Sequence, residues 1–119
     1  MPSRSAGEGR AAAWIEDILD NIGLIEDFLA GITHAAYLSD KEKQYAVQFA
    51  LLAISEAARR LPAGMKQCHP GIPWRQVEDL RNAYTHAYHR LNPEMVWRTA
   101  RESLGPLKKA MRAELKRST

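Results

Sequence analysis

The chain has one cysteine, Cys68, among its 119 residues. A lone thiol excludes an internal disulfide framework and a thiolate metal cluster, and it fits a reducing cytoplasm. No apolar run approaches the ~20 residues a membrane span needs, so no membrane role is expected. The opening MPSRSAGEGR has no apolar stretch and does not read as a signal peptide. It is small, polar and glycine-containing, so a disordered tail is expected over residues 1–9. Alternating strand patterns, glycine-rich phosphate loops and internal repeats are all missing. Strong charge is missing too. The net charge of +3 permits contact with an anionic polymer without demanding it. With no helix-turn-helix signal or dense basic helix, a DNA-binding regulator is a weak reading.

Helical periodicity is what the chain does have. Over residues 10–30, Trp14, Ile15, Ile18, Leu19, Ile22, Ile25, Phe28 and Leu29 recur at intervals of three and four. The acids between them, Asp17 and Asp20 among them, read as a solvated face rather than metal ligands. Gly31 suits the stop of this helix. Residues 39–42 (S-D-K-E) read as a capping box that opens a second helix. Its body is apolar almost all round over residues 46–54, more than a small monomer can cover. A homodimer is therefore expected. Glu56, at its polar end, pairs with Arg59 or Arg60 or reaches the site.

Pro62, Gly64, Pro70, Gly71 and Pro73 make residues 61–74 a loop with room for one helical turn. Cys68 and His69 lack distant partners, so they read as loop residues and no metal site is expected. Pro73 opens a third helix, residues 74 to about 88, with Val77, Leu80, Tyr84 and Ala87 as its apolar stripe. Asn92-Pro93 starts a fourth, with Asn92 as cap. Gly105-Pro106 should kink or break it. Its basic end, from Lys108 to Arg117, reads mostly as a solvated face, with an RNA or partner contact as the minor alternative. The fold class is all-α: an antiparallel bundle of four to five helices in one domain over residues 10–117.

The chemistry concentrates in the third helix. Arg81, Asn82, His86 and Tyr88 fall within eight residues, patterned R-x4-H-x-Y. Asn82 and His86 share a helix face, as do Arg81 and Tyr88. Arg81 and His86 diverge by about 140° on an ideal helix. Either the helix frays near His86, or the site is composite across two chains. These residue types suit a phosphodiester. Cleaving RNA without a metal requires a base for the 2′-hydroxyl, a cation for the phosphoryl oxygens and an acid for the leaving 5′-oxygen. His86 titrates near neutral pH and serves as base or acid. Arg81 stays charged and grips phosphate with two N–H groups. Asn82 orients the imidazole or holds a substrate oxygen. One imidazole does not easily make both proton transfers, a second reason to expect two copies of the chain. The bland alternative is a polar cluster that merely caps a helix end.

Together, I-S-E-A-A-R-R-L (residues 54–61), H-P-G-I-P-W-R-Q-V (69–77), L-R-N-A-Y-T-H-A-Y (80–88) and P-E-M-V-W (93–97) carry a resemblance. In this order and spacing the chain resembles the HepT-like toxins of the HEPN superfamily, over about residues 10–115. The resemblance implies a HEPN-like helical homodimer that cleaves RNA as an endoribonuclease toxin of a type VII-like toxin–antitoxin module. No metal and no cofactor are implied. The family's motif falls on Arg81 and His86, with its polar residue on Asn82 and its tyrosine on Tyr88. The implied partner is a minimal nucleotidyltransferase antitoxin that silences the toxin by moving AMP onto Tyr88. His89 and Arg90 differ from the small or aromatic residues common there and add a candidate RNA contact. Phe49, Ala50, Leu51 and Leu52 stand where many relatives are more polar. The rival reading is a catalytically silent helical partner that presents substrate to a nucleotidyltransferase.

Overall fold

The computed structural model describes the backbone of residues 6–86 and 92–118, and side chains at 10–80 and 92–117. These residues form seven helices: α1 (Ala6–Leu29), α2 (His34–Leu38), α3 (Lys41–Arg59), α4 (Ala63–Gln67), α5 (Trp74–His86), α6 (Pro93–Glu102) and α7 (Leu104–Ser118). No strand occurs among the described residues. No helix among them is long and apolar enough to cross a membrane.

The isoleucine stripe of α1 forms the centre of the core. Ile15, Ile18, Ile22 and Ile25 are almost wholly out of water, packed with Val47, Leu51 and Ile54 of α3 and Leu107 and Met111 of α7. Two cations fix the direction of the α1–α3 pair. Lys43, early in α3, sits 5.9 Å from the Phe28 ring, and Arg60, just after α3, sits 4.9 Å from the Trp14 ring. The helices are therefore antiparallel. Helix α7 packs along α1, its early Lys108 bound to Glu26 at the far end of α1. Helix α5 packs on α3, and α6 rests on α2, α3 and α7.

The structure departs from the sequence expectations in several places. Helix α1 is already formed at Ala6, the first described residue, so residues 6–9, expected in the disordered tail, are helical. The alanine run 11–13 has the highest helix propensity and extends the helix backwards. Residues 1–5 lie outside the described residues. A short helix, α2, occupies what read as a connection, with Thr33 accepting the N–H of Ala36. That shifts the cap of α3. Ser39 becomes the C-cap of α2 and its hydroxyl donates to Ala35 O, while Asp40 takes the N-cap and accepts from Lys43 N at 3.0 Å. The fourth helix does break near Gly105-Pro106, as expected, into α6 and α7. The break falls at Ser103, just ahead of Gly105-Pro106, which leaves Pro106 in the first turn of α7 where its missing N–H needs no acceptor.

Helix α3 is not covered all round. Val47, Ala50, Leu51 and Ile54 are buried, but Phe49 is 75% exposed and Tyr45 52%. The buried side also takes polar groups. Gln44 donates to Tyr37 O and Leu38 O, both at 3.0 Å, and ties α2 to α3.

Candidate active site on helix α5

Polar ties as well as apolar packing set the position of α5. Trp74 donates its indole N–H to Lys66 O at 3.0 Å and His69 O at 3.1 Å, closing the loop onto the start of the helix. Lys66 then bridges Ala58 O and the Glu78 carboxylate, the latter at 2.8 Å. Ser55, fully buried in α3, donates to Glu78 O at 3.1 Å. In a regular helix that carbonyl also takes the N–H of residue 82. The tie from α3 thus lands on the turn that carries Arg81 and Asn82. Val77 and Leu80 face the core as expected.

Arg81, Asn82 and His86 all lie on α5, and His86 is the last described residue of that helix. Helix persists from Arg81 to His86, so the two positions stay about 140° apart in register. Asn82 and His86 share a face. Tyr88, His89 and Arg90 lie outside the described residues, as does Ala87. The side chains at Arg81, Asn82, Tyr84 and His86 lie outside the described side chains.

Beside that face, α5 and α6 enclose a cleft of about 430 Å³. Val77, Leu80 and Met95 give it an apolar floor, and Asp79, Arg98 and Glu102 stand at its edge. Asp79 precedes His86 by seven residues and so lies within about 20° of it around the helix.

Two histidine contacts were not visible in the sequence. His69, read as a loop residue, pairs with the buried Glu114 of α7 at 2.7 Å, 45 residues away. Arg117 reaches the same carboxylate at 3.5 Å. His34 pairs with Glu94 at 2.9 Å and stacks on Trp97 at 5.0 Å, while Arg101 lies 4.5 Å from the Trp97 ring. No local signal could have revealed either pair, because the partners meet only after the helices pack. Glu56 pairs with Arg60 at 2.8 Å, one of its two expected alternatives. In the basic end of the chain, Lys108 and Arg117 are bound to carboxylates, which fits a mainly solvated, ion-paired face.

An all-helical domain with an arginine and a histidine on one helix defines the class: a small helical protein with groups suited to phosphate chemistry. Comparison with known proteins sharpens this. The ribonuclease HepT-like family model matches residues 18–114, from the middle of α1 to late α7, and the chain belongs to that family. The chain is 39% identical over 95 residues to a probable ribonuclease HepT of Thermococcus cleftensis, covering 80% of this chain and 86% of the relative. Two further relatives carry the name "Putative RNase". One, from Methanocaldococcus jannaschii, is 36% identical over 85 residues, 71% of this chain and 70% of the relative. The other, from Caldanaerobacter subterraneus, is 24% identical over 104 residues, 87% of this chain and 93% of the relative. No solved structure shows a significant match. The family and its relatives support an endoribonuclease, and α5 with its motif lies inside the matched span.

Proposed function

We propose that this chain is a metal-independent endoribonuclease, the toxin of a two-component module in the cytoplasm, and that it acts as a homodimer through Arg81, Asn82 and His86. The observation that carries this reading is the family match across α5, the helix that holds all three residues. The step is an internal displacement. His86 takes the proton of a 2′-hydroxyl, that oxygen attacks the adjacent phosphorus, and the 5′-oxygen leaves with a proton from a second imidazole. Arg81 balances the charge that builds on the phosphoryl oxygens. The second imidazole is His86 of another copy, since one imidazole does not serve both ends of the reaction at once. Asn82 shares the His86 face and orients the ring. His89 and Arg90 add cations along the RNA.

The continuous helix from Arg81 to His86 supports a composite site, because one straight helix holds the pair on divergent faces. The exposed Phe49 and Tyr45, one helical turn apart on α3, support a second copy as their cover. Control falls to a minimal nucleotidyltransferase antitoxin. The Tyr88 phenol attacks the α-phosphorus of ATP, pyrophosphate leaves, and the added phosphate competes for Arg81.

The test is cleavage of single-stranded RNA by the purified chain. Arg81→Ala and His86→Ala should each lower the rate on the order of 10²-fold or more while the helical spectrum stays unchanged. Full activity in His86→Ala, free of contaminating nucleases, refutes the mechanism. No growth arrest and no RNA loss when the chain is expressed alone favours the silent-partner reading instead.

A further inference from the structure

The cleft between α5 and α6 gathers charged groups at its edge that neither the packing nor the R-x4-H chemistry uses. Its floor is apolar, from Val77, Leu80 and Met95. Asp79 stands on the α5 side, with Arg98 and Glu102 opposite on α6, all three exposed. Among the described residues, no hydrogen bond or ion pair engages these three side chains. A volume of about 430 Å³ lies within the range of small-ligand sites. Apolar floor and polar edge together are what an unstacked base of single-stranded RNA requires: a surface for its ring face and partners for its edge.

Register ties the cleft to the reaction. Asp79, Asn82 and His86 follow one another at intervals of three and four on α5, so they line one face. Asp79 lies about 10 Å along the helix from His86, a reach that suits a nucleotide adjoining the cleaved phosphate rather than the reacting one. We infer that this cleft is a base-recognition subsite and that its occupant is a guanine next to the cleaved bond. The inference rests on the ribonuclease reading above. A carboxylate offers acceptors only. Guanine alone sets two adjacent donors, N1–H and the N2 amino group, on its pairing edge, and Asp79 accepts both. Adenine, cytosine and uracil each place an acceptor beside their single donor, and that acceptor faces the carboxylate unfavourably. Arg98, across the cleft, takes the adjoining phosphate.

The experiment uses 2′-O-methyl oligonucleotides, which resist cleavage, identical except for guanine, inosine or adenine at one position. Inosine differs from guanine only by the lost N2 amino group. Binding to the full chain is read by fluorescence anisotropy, and cleavage of the unmodified RNAs is followed in parallel. The wild-type chain should bind the guanine oligonucleotide on the order of tenfold more tightly than the inosine one. In Asp79→Asn, of the same size but with one acceptor turned to a donor, that difference should shrink to about twofold or less. Equal binding of all three oligonucleotides by the wild-type chain overturns the subsite, whether or not RNA is cleaved. A guanine preference that survives unchanged in Asp79→Asn overturns the role of Asp79. A preference lost in Asp79→Asn upholds the subsite even if no cleavage is seen, and then the ribonuclease reading is what fails. Base-indifferent binding with a changed sedimentation coefficient in Asp79→Asn assigns the cleft to a contact between copies, and overturns the inference.

Discussion

Helices α1 and α5 both pack against α3, and they are held there by different means. The α1 stripe of Ile15, Ile18, Ile22 and Ile25 is at most 1% exposed. On α5 the buried apolar side chains among those described are Val77 and Leu80, each at 8%. Among the described residues, α5 is also tied by directional contacts: Ser55 to Glu78 O, Lys66 to Glu78, and Trp74 to two loop carbonyls. Apolar packing carries much free energy but little direction, since a side chain can shift slightly and still exclude water. Hydrogen bonds carry less energy and fix register. On the mechanism proposed above, a helix that presents Arg81 and His86 to a phosphate needs register more than bulk. The difference therefore separates a scaffold from a site within one small bundle.

The comparison breaks most visibly at α1. Ile22→Ala should cost about 2–5 kcal/mol, because it empties a site at the centre of the core. Urea denaturation should show the midpoint falling, while the rate per folded molecule on RNA stays near wild type. A large loss of rate in the folded fraction would mean that scaffold and site are not separable.

Ser55 tests the other side. Ser55→Ala removes a buried tie to α5 and leaves Glu78 O its helical partner, so the loss of stability should be only about 1 kcal/mol. Its effect should fall on kcat, since the turn that carries Arg81 and Asn82 is no longer pinned. Unaltered kcat at a lowered unfolding midpoint would reduce Ser55 to packing.

Tyr37 gives the smallest effect at neutral pH. Its ring is fully buried, and its hydroxyl finds no partner among the described residues. Loss of water around the phenol pushes its pKa up from 10.0 to about 12. Both states keep the proton below pH 10.0, so stability is level there. Above it the unfolded chain loses the proton first, and folding should weaken by on the order of 2–3 kcal/mol as the pH approaches about 12. Tyr37→Phe should change neutral-pH stability by less than about 1 kcal/mol and remove this part of the alkaline loss. An unchanged alkaline profile in that variant would show that the phenol does not titrate as its burial implies.

The scaffold was far more legible in the sequence than the site. The period of three and four in residues 10–30 gave α1 to within a few residues, because burial of one face is a local pattern. Asn92-Pro93 marked the start of α6, and Asn92 accepts Glu94 N at 2.8 Å as a cap should. The single turn α2 escaped, since five residues are too few to show a period, while α4 falls within residues 61–74, where the sequence left room for one helical turn. The cap of α3 came out one residue late because Ser39 already served α2. For the site, Arg81, Asn82 and His86 could be placed on one helix from spacing alone. The cleft could not, because Asp79 comes to line one cleft with Arg98 and Glu102 only once the helices have packed. The His69–Glu114 tether was hidden for the same reason.

The composite site is the central claim, and mixed dimers test it most directly. Wild-type and His86→Ala chains are co-unfolded, refolded together at equal amounts, and assayed on single-stranded RNA at constant total protein. If each cleft needs His86 from both copies, only wild-type pairs act, and activity should fall to about a quarter of the wild-type value. If each chain carries its own complete site, activity should fall only to about half, and that result would contradict the account.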